Sequence, residues 1–393
     1  MRGVRLMPAR PPRGRPAHQE LPRPRRSATL QWHVTDRCDL RCAHCYQERY
    51  DGEEMALEEL VGVIDQFREL LALPRFRSQG GRRRGHINVT GGEPLVRDDI
   101  LDLLEVLHGE REWLTYGLLT NGSLIDGDMA AKLARLGPGM VQVSVEGTPD
   151  THDSIRGRGS HRRTMEAIGR LSREGVFTIV SFTAHRGNFR QFPAVVSAAA
   201  AAGAHKVWTD RLVPLGSGGD MADTLLTPEE TRELFTIIRL TREGIARRGR
   251  GPFVPMDRGL QFLVGDVAPY RCSAGDTLVT VMPDGDVYPC RRLPVKVGNI
   301  RETRLRDLYL GSRLMRDLRD RDRVAEGCEG CHFARICGGG SRCLSHAVNG
   351  DPFRADPGCW LAFNGPGPTS GCLETFELDT NAMTIYEHEH SEG

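Results

Sequence analysis

The sequence predicts an α/β protein: a partial (β/α)6 TIM-type barrel followed by a small cysteine-rich α+β domain. Three observations predict it. Between Thr29 and about Arg248, short apolar runs alternate six times with amphipathic stretches, the pattern of parallel strands covered by helices. The 11 cysteines fall in two groups, three at 38–45 and eight from Cys272 to Cys372; thiols with only packing roles would scatter. The 393 residues carry no long apolar run, so the chain can bury a large core and has no segment of the ~18 apolar residues a membrane span needs. Six units rather than eight imply an incomplete barrel, with its site at the carboxyl ends of the strands.

The expected strands are LQWHVT (30–35), HINVT (86–90), LTYGLLT (114–120), MVQVSV (140–145), VFTIVSFT (176–183) and KVWTDRL (206–212). Helical stretches lie between them: MALEELVGVIDQFRELL after Gly52, IDGDMAAKLARL, and FPAVVSAAAAAG with a glycine placed as a C′ cap. TPEE at 227–230 offers an N-cap, a Pro at N1 and a Glu at N3, so a helix starts there. RFRSQGGRRRGH (75–86) reads as an exposed basic loop, and RRGRGPFVP (247–255) breaks the repeat. VMPDGDVYPC reads as a hairpin around Asp284–Gly285. The expected division is a disordered basic tail over 1–28, a barrel over 29–250, a linker over 251–271, a cysteine-rich domain over 272–362 and a tail over 363–393.

The formal net charge is +1, but residues 1–26 hold eight Arg and one Glu, so the remainder is mildly acidic. That balance argues against nucleic acid as a partner. The basic tail has no apolar h-region and is not a secretory signal; a transit peptide is the competing reading. Only Lys132, Lys206 and Lys296 accompany 50 Arg, a bias that fits a GC-rich genome better than a function. Clustered cysteines without an export signal point to a cytoplasmic chain that binds metal or iron–sulfur clusters.

CDLRCAHC (38–45) follows the first strand directly. It sets three thiols at the site end of the barrel, spaced C-x3-C-x2-C with no fourth nearby. A four-iron cubane usually takes four thiolates, so one iron stays open to a small chelator. The competing reading is a structural zinc site, for which His44 would be an awkward fourth ligand inside the x2 gap. This spacing at this place resembles the radical S-adenosylmethionine (SAM) superfamily. The resemblance implies a [4Fe–4S] cluster on Cys38, Cys42 and Cys45, completed by the amino and carboxylate groups of SAM. It also implies one-electron cleavage of SAM to a 5′-deoxyadenosyl radical. In TGGEP (90–94), Gly91, Gly92 and Glu93 are then the segment that meets the SAM amino group. Ser144 and Glu146 of SVEG lie near the ribose, and Arg156 of THDSIRGRGSH pairs with the SAM carboxylate. His44 takes a position usually held by an aromatic, and KVWTDRLVPLG (206–216) lines the adenine side. Asn121 shapes a turn or nears SAM, and Asn188 is a helix cap or nears SAM. His33 and His86 read as core or rim residues.

The later cysteines run Cys272-x12-Gly285-x4-Cys290, then Cys328-x2-Cys331-x5-Cys337, then Cys343 and Cys359. This resembles the SPASM extension of radical SAM enzymes, which carries one or two auxiliary Fe–S clusters. The resemblance, covering roughly residues 29 to 360, implies one cluster on Cys328, Cys331, Cys337 and Cys359 and another on Cys272, Cys290 and Cys343. Two departures stand out: the usual C-x3-C is here C-GGGSR-C, and no cysteine precedes Cys272 in GDVAPYR. The fourth ligand of the second set is then open, Cys372, or a sign of a [2Fe–2S] form. Zinc suits these spacings equally.

The resemblance implies an oxidoreductase that abstracts hydrogen from a substrate, with a ribosomally made peptide expected. A tetrapyrrole or other small molecule is the first alternative, and a non-catalytic Fe–S or zinc regulator the second. Formylglycine-forming members carry an Asp where this chain has Arg291 followed by Arg292, and two arginines there suit carboxylates. The expected partners include a reductase, flavodoxin or ferredoxin as electron donor. With only about 28 residues before the first strand, leader recognition falls to the barrel, the tail or a separate protein.

Overall fold

The computed structural model describes residues 27–76, 85–265 and 267–362. The basic tail, most of the 75–86 loop, Cys372 and the C-terminal tail lie outside the described residues. Six parallel strands form as expected: β1 (Ala28–His33), β2 (Gly85–Thr90), β3 (Leu114–Thr120), β4 (Met140–Ser144), β5 (Thr178–Ala184) and β6 (Lys206–Arg211). Between and after them run α1 (Leu57–Leu71), α2 (Ile100–Gly109), α3 (Gly127–Leu136), α4 (Pro149–Arg156), α5 (Ser160–Arg173), α6 (Phe192–Ala201) and α7 (Pro228–Arg248). The local signals act as read. Thr227 caps α7 in a reciprocal box with Glu230, and Gly203 follows α6 with φ +87°. Thr227→Ala should cost about 1 kcal/mol of stability, measurable by urea unfolding.

The strands alternate with a period of two. In β1, Ala28, Leu30 and Trp32 are buried while Thr29 and Gln31 are half-buried. In β2, Ile87 and Val89 alternate with His86 and Asn88. The apolar set of each strand joins the core, where Trp32, Ile87, Leu118, Val141, Val180 and Val207 are fully buried. Each such burial stabilises by about 1.5–3 kcal/mol. The other set turns Gln31, Asn88, Gln142, Ser144, Ser181 and Asp210 onto a concave face that lines a cavity.

The sheet is open rather than a closed barrel, in the order β6-β5-β4-β3-β2-β1-β7-β8-β9. Its last three strands, β7 (Leu278–Val281), β8 (Asp286–Tyr288) and β9 (Gly298–Asn299), come from the cysteine-rich segment. β7 pairs in parallel with β1, and β8 and β9 follow antiparallel. The β7–β8 turn uses Gly285 at φ +88°, where a non-glycine residue is strained. Four short helices follow: α8 (Leu305–Gly311), α9 (Arg313–Arg319), α10 (Ala334–Cys337) and α11 (Arg342–Asn349). No helix among the described residues is long and apolar enough to cross a membrane.

Candidate active site

The loop after β1 carries Cys38, Cys42 and Cys45 and is held from three sides. Ala43 N–H donates to the Ile155 carbonyl in α4 (2.9 Å), and Gly218 N–H donates to the Cys45 carbonyl (2.9 Å). Asn121 Nδ2, in the turn after β3, donates to Asp39 (2.8 Å), and Ser123 bonds the same carboxylate. Asn121 also accepts from Ser123 N–H (2.7 Å), so it both shapes its turn and ties that turn to the cysteine loop.

Gly91 and Gly92 line the cavity, but their lack of a side chain has a second cause. Gly92 N–H bonds the Thr35 carbonyl (2.9 Å), and Glu93 N–H bonds that of Arg37 (2.9 Å). A Cβ on either glycine would overlap the Thr35 or Arg37 carbonyl oxygen. Glu93 sits behind the wall, fully buried. Its carboxylate accepts from Thr120 Oγ1 (2.8 Å), Asn121 N–H (2.7 Å) and Leu95 N–H (3.1 Å). Burial still lifts its pKa to about 7.

Glu146, also fully buried, draws two other predicted residues to itself. It bonds Arg156 Nη2 (2.6 Å) and His44 Nε2 (3.0 Å), and it accepts from Thr183 N–H (2.8 Å). Burial alone would raise its pKa, but the Arg156 guanidinium and His44 hold it well below the usual carboxylate range. Arg156 also points Nη1 at Cys42 Sγ (3.8 Å). Ser144 lines the cavity and accepts from Ser181 Oγ (3.3 Å). Asn188 Nδ2 donates to the Glu146 and Thr183 carbonyls and its Oδ1 accepts from His185 N–H, so its side chain ties loops together rather than capping the helical turn that follows. His33 is buried beside Tyr46, and His86 bonds Asn88 and Thr115.

Next to Arg156, His152 accepts from Glu146 N–H through Nδ1 (3.1 Å). Burial, then Arg156, depresses its pKa to about 3 from 6.5. The unfolded chain therefore binds more protons between those values, and stability rises with pH through that window. His152→Gln should flatten that rise, as read by urea unfolding at a series of pH values from about 5 to 7.

The cavity, about 530 Å3 in volume, runs from Cys38, Cys42 and Cys45 to Cys272, Cys290 and Cys343. Cys343 feels both Cys290 and Cys272, and burial pushes its thiol up to about 12. Cys328, Cys331, Cys337 and Cys359 gather separately around a second, small pocket. Arg292 is half-buried, faces the cavity and pairs with Asp210 (2.7 Å). Arg291 lies over the Tyr46 ring instead, 4.9 Å from its centroid. The β6 segment reaches the cavity with Lys206, Trp208 and Asp210. Arg258 and Tyr270 also line it; no motif surrounds either, and sequence reasoning passed them over. Alternate positions on one strand were the available signal for Lys206 and Trp208.

The residues fit iron–sulfur clusters and a polar small molecule. Among the described residues no three Cys, His, Asp or Glu side chains converge on one metal position. Thiolates of a multi-iron cluster each bind a different iron and need no such convergence. His44 lines the cavity, and its buried Nδ1 has no hydrogen-bond partner among the described residues, an atom left for a ligand to satisfy.

A partial barrel with a thiol trio above its sheet, and further thiols across one cavity, defines an iron–sulfur enzyme. Residues 32–190 match the radical SAM superfamily model, and residues 272–332 match SPASM, an iron–sulfur cluster-binding domain. The chain belongs to the radical SAM superfamily and carries a SPASM domain; its cofactors are SAM and iron–sulfur clusters. It is 27% identical to the Fe-coproporphyrin III synthase of Methanosarcina barkeri, over 84% of this chain and 87% of that protein. It is equally 27% identical to the PqqA peptide cyclase of Granulibacter bethesdensis, over 84% and 86%. Its fold matches Streptococcus suis SuiB bound to precursor peptide SuiA, with TM-score 0.67 and 17% identity, over 84% of this chain and 75% of that one.

Proposed function

We propose that this cytoplasmic enzyme cleaves SAM reductively and abstracts hydrogen from a ribosomally made peptide, which it modifies. The single cavity joining the Cys38–Cys45 loop to Cys272, Cys290 and Cys343 carries the reading. A volume of about 530 Å3 must hold SAM and the reacting part of the substrate. The relatives named for peptide cyclisation and for coproporphyrin chemistry support both substrate classes.

Cys38, Cys42 and Cys45 would hold the cluster that binds SAM. Cys328, Cys331, Cys337 and Cys359 would hold one auxiliary cluster, and Cys272, Cys290 and Cys343 the other. The bound cluster and SAM supply a one-electron cleavage and a carbon radical; cofactors carry that chemistry and the protein supplies position. Gly91 and Gly92 let backbone approach the ligand. Ser144 offers a hydroxyl, and Glu146 fixes His44 and Arg156 beside Cys42. Arg156 places positive charge next to the thiolates. A separate flavodoxin, ferredoxin or reductase would deliver the electron.

The test is co-expression with short peptides encoded beside its gene, read by mass spectrometry, alongside incubation with coproporphyrin. A peptide mass change that disappears when Cys38, Cys42 and Cys45 become Ala supports the reading. Turnover of the tetrapyrrole with every peptide unchanged overturns it.

A further inference from the structure

Lys206 is the first residue of β6 and Asp210 the fifth, so about 13 Å of strand separates them along the cavity wall. Lys206, Trp208 and Asp210 share one strand face. Trp208 is fixed by its Nε1–H, which donates to Gln142 Oε1 (2.9 Å). Arg258 lies over it, 4.5 Å from the ring centroid, with Tyr270 at 5.9 Å.

The charges do not cancel. Asp210 serves Arg292 at 2.7 Å and reaches Arg258 only at 3.9 Å. Arg258 otherwise meets the half-exposed Asp257 (3.0 Å). Lys206 has no carboxylate within ion-pair distance among the described residues; its Nζ sits 6.0 Å from the Phe253 ring centroid. Burial holds its pKa below that of an ordinary lysine; Asp257 opposes that shift and Arg258 adds to it. Three cations and one carboxylate thus enter this part of the cavity. A half-buried ammonium in the field of a guanidinium is stabilised when an anion joins them.

We propose that Lys206 and Arg258 form a carboxylate-binding subsite, flanked by Trp208 and Tyr270, that anchors an acidic group of the substrate. The substrate then lies along the cavity with its carboxylate on Lys206 and Arg258 and its reacting carbon toward the Cys38 loop. Arg258 supplies a planar fork for the carboxylate and Lys206 a point charge. The inference rests on the cavity being the substrate chamber, whichever substrate class proves right.

Three lysines in the whole chain make a direct test practical. The reconstituted enzyme is reductively 13C-methylated, and its dimethyl-lysine signals are followed by NMR while glutarate is added. Lys206→Arg identifies the Lys206 signal by its loss. The expected result is a saturable shift of that signal, with Lys132 and Lys296 unmoved and neutral glutaramide without effect. Arg258→Gln should weaken glutarate binding about tenfold, the weight of one charge-assisted hydrogen bond. A Lys206 signal that stays still in wild type, or moves equally with glutaramide or chloride, overturns the proposal. So does unchanged affinity in Arg258→Gln. The readout needs no turnover, so it stands apart from the peptide experiment.

Discussion

Replacing Cys38, Cys42 and Cys45 together by Ala should remove about four irons per chain and abolish formation of 5′-deoxyadenosine under anaerobic conditions with dithionite. Replacing Cys328, Cys331, Cys337 and Cys359 should remove a similar amount of iron yet leave uncoupled SAM cleavage measurable. The contrast follows from placement: the first trio opens on the large cavity, the second group on its own small pocket. Iron analysis and chromatography of deoxyadenosine score both variants. Equal loss of cleavage in the two would mean that the groups do not act separately. Loading should also depend on pH, because burial pushes the Cys38 thiol up to about 12 and ligation must displace its proton.

Asp356→Ala should be the most damaging single substitution outside the thiols. The Asp356 carboxylate is fully buried and takes both arms of Arg211, at 2.9 and 2.6 Å, from the last residue of β6. It also accepts from Ser341 N–H (2.7 Å) and Gly358 N–H (2.9 Å). One side chain therefore ties the end of the parallel sheet to the segments before Cys343 and around Cys359. Removing one partner of such a pair costs about 3–5 kcal/mol, because a guanidinium stays buried and alone. Thermal unfolding should show a fall of roughly 10 °C. Auxiliary iron should fall with it, while Asp356→Asn, which keeps the shape and loses the charge, should be intermediate. An unshifted melting curve for Asp356→Ala would remove this residue from the framework.

The sequence made much of the molecule legible because its signals are local. The strand alternation, the Thr227 box, Gly203 after α6 and the Gly285 turn each need only a few neighbouring residues. The open sheet could not be read that way, since its closure depends on strands far apart in the chain. The site was legible in membership and less so in partnership. His44, Glu146 and Arg156 each read as contacts to SAM, yet in the fold Glu146 bonds both of the others, and His44 reaches it from about a hundred residues away. Gly91 and Gly92 read as room for a ligand, and the structure shows that the Thr35–Arg37 backbone needs the same room. Arg292 read as a partner for substrate carboxylates and proves to be a half-buried cation paired with Asp210. Arg258 carried no signal, because its meaning depends on Trp208 and Asp210 from another element.

The parallel pairing of β1 with β7 joins Thr29 to Leu278, about 250 residues apart in sequence. Contacts so distant raise contact order and slow folding, since a long loop must close before they form. During synthesis β1 would wait with one edge unpaired until the segment near residue 278 leaves the ribosome, and an unpaired edge is an aggregation template. The auxiliary domain is thus also the barrel's missing neighbour. A chain cut before β7 should emerge as insoluble protein rather than a free-standing barrel, so its catalytic half and its cluster-bearing half are inherited as one folding problem.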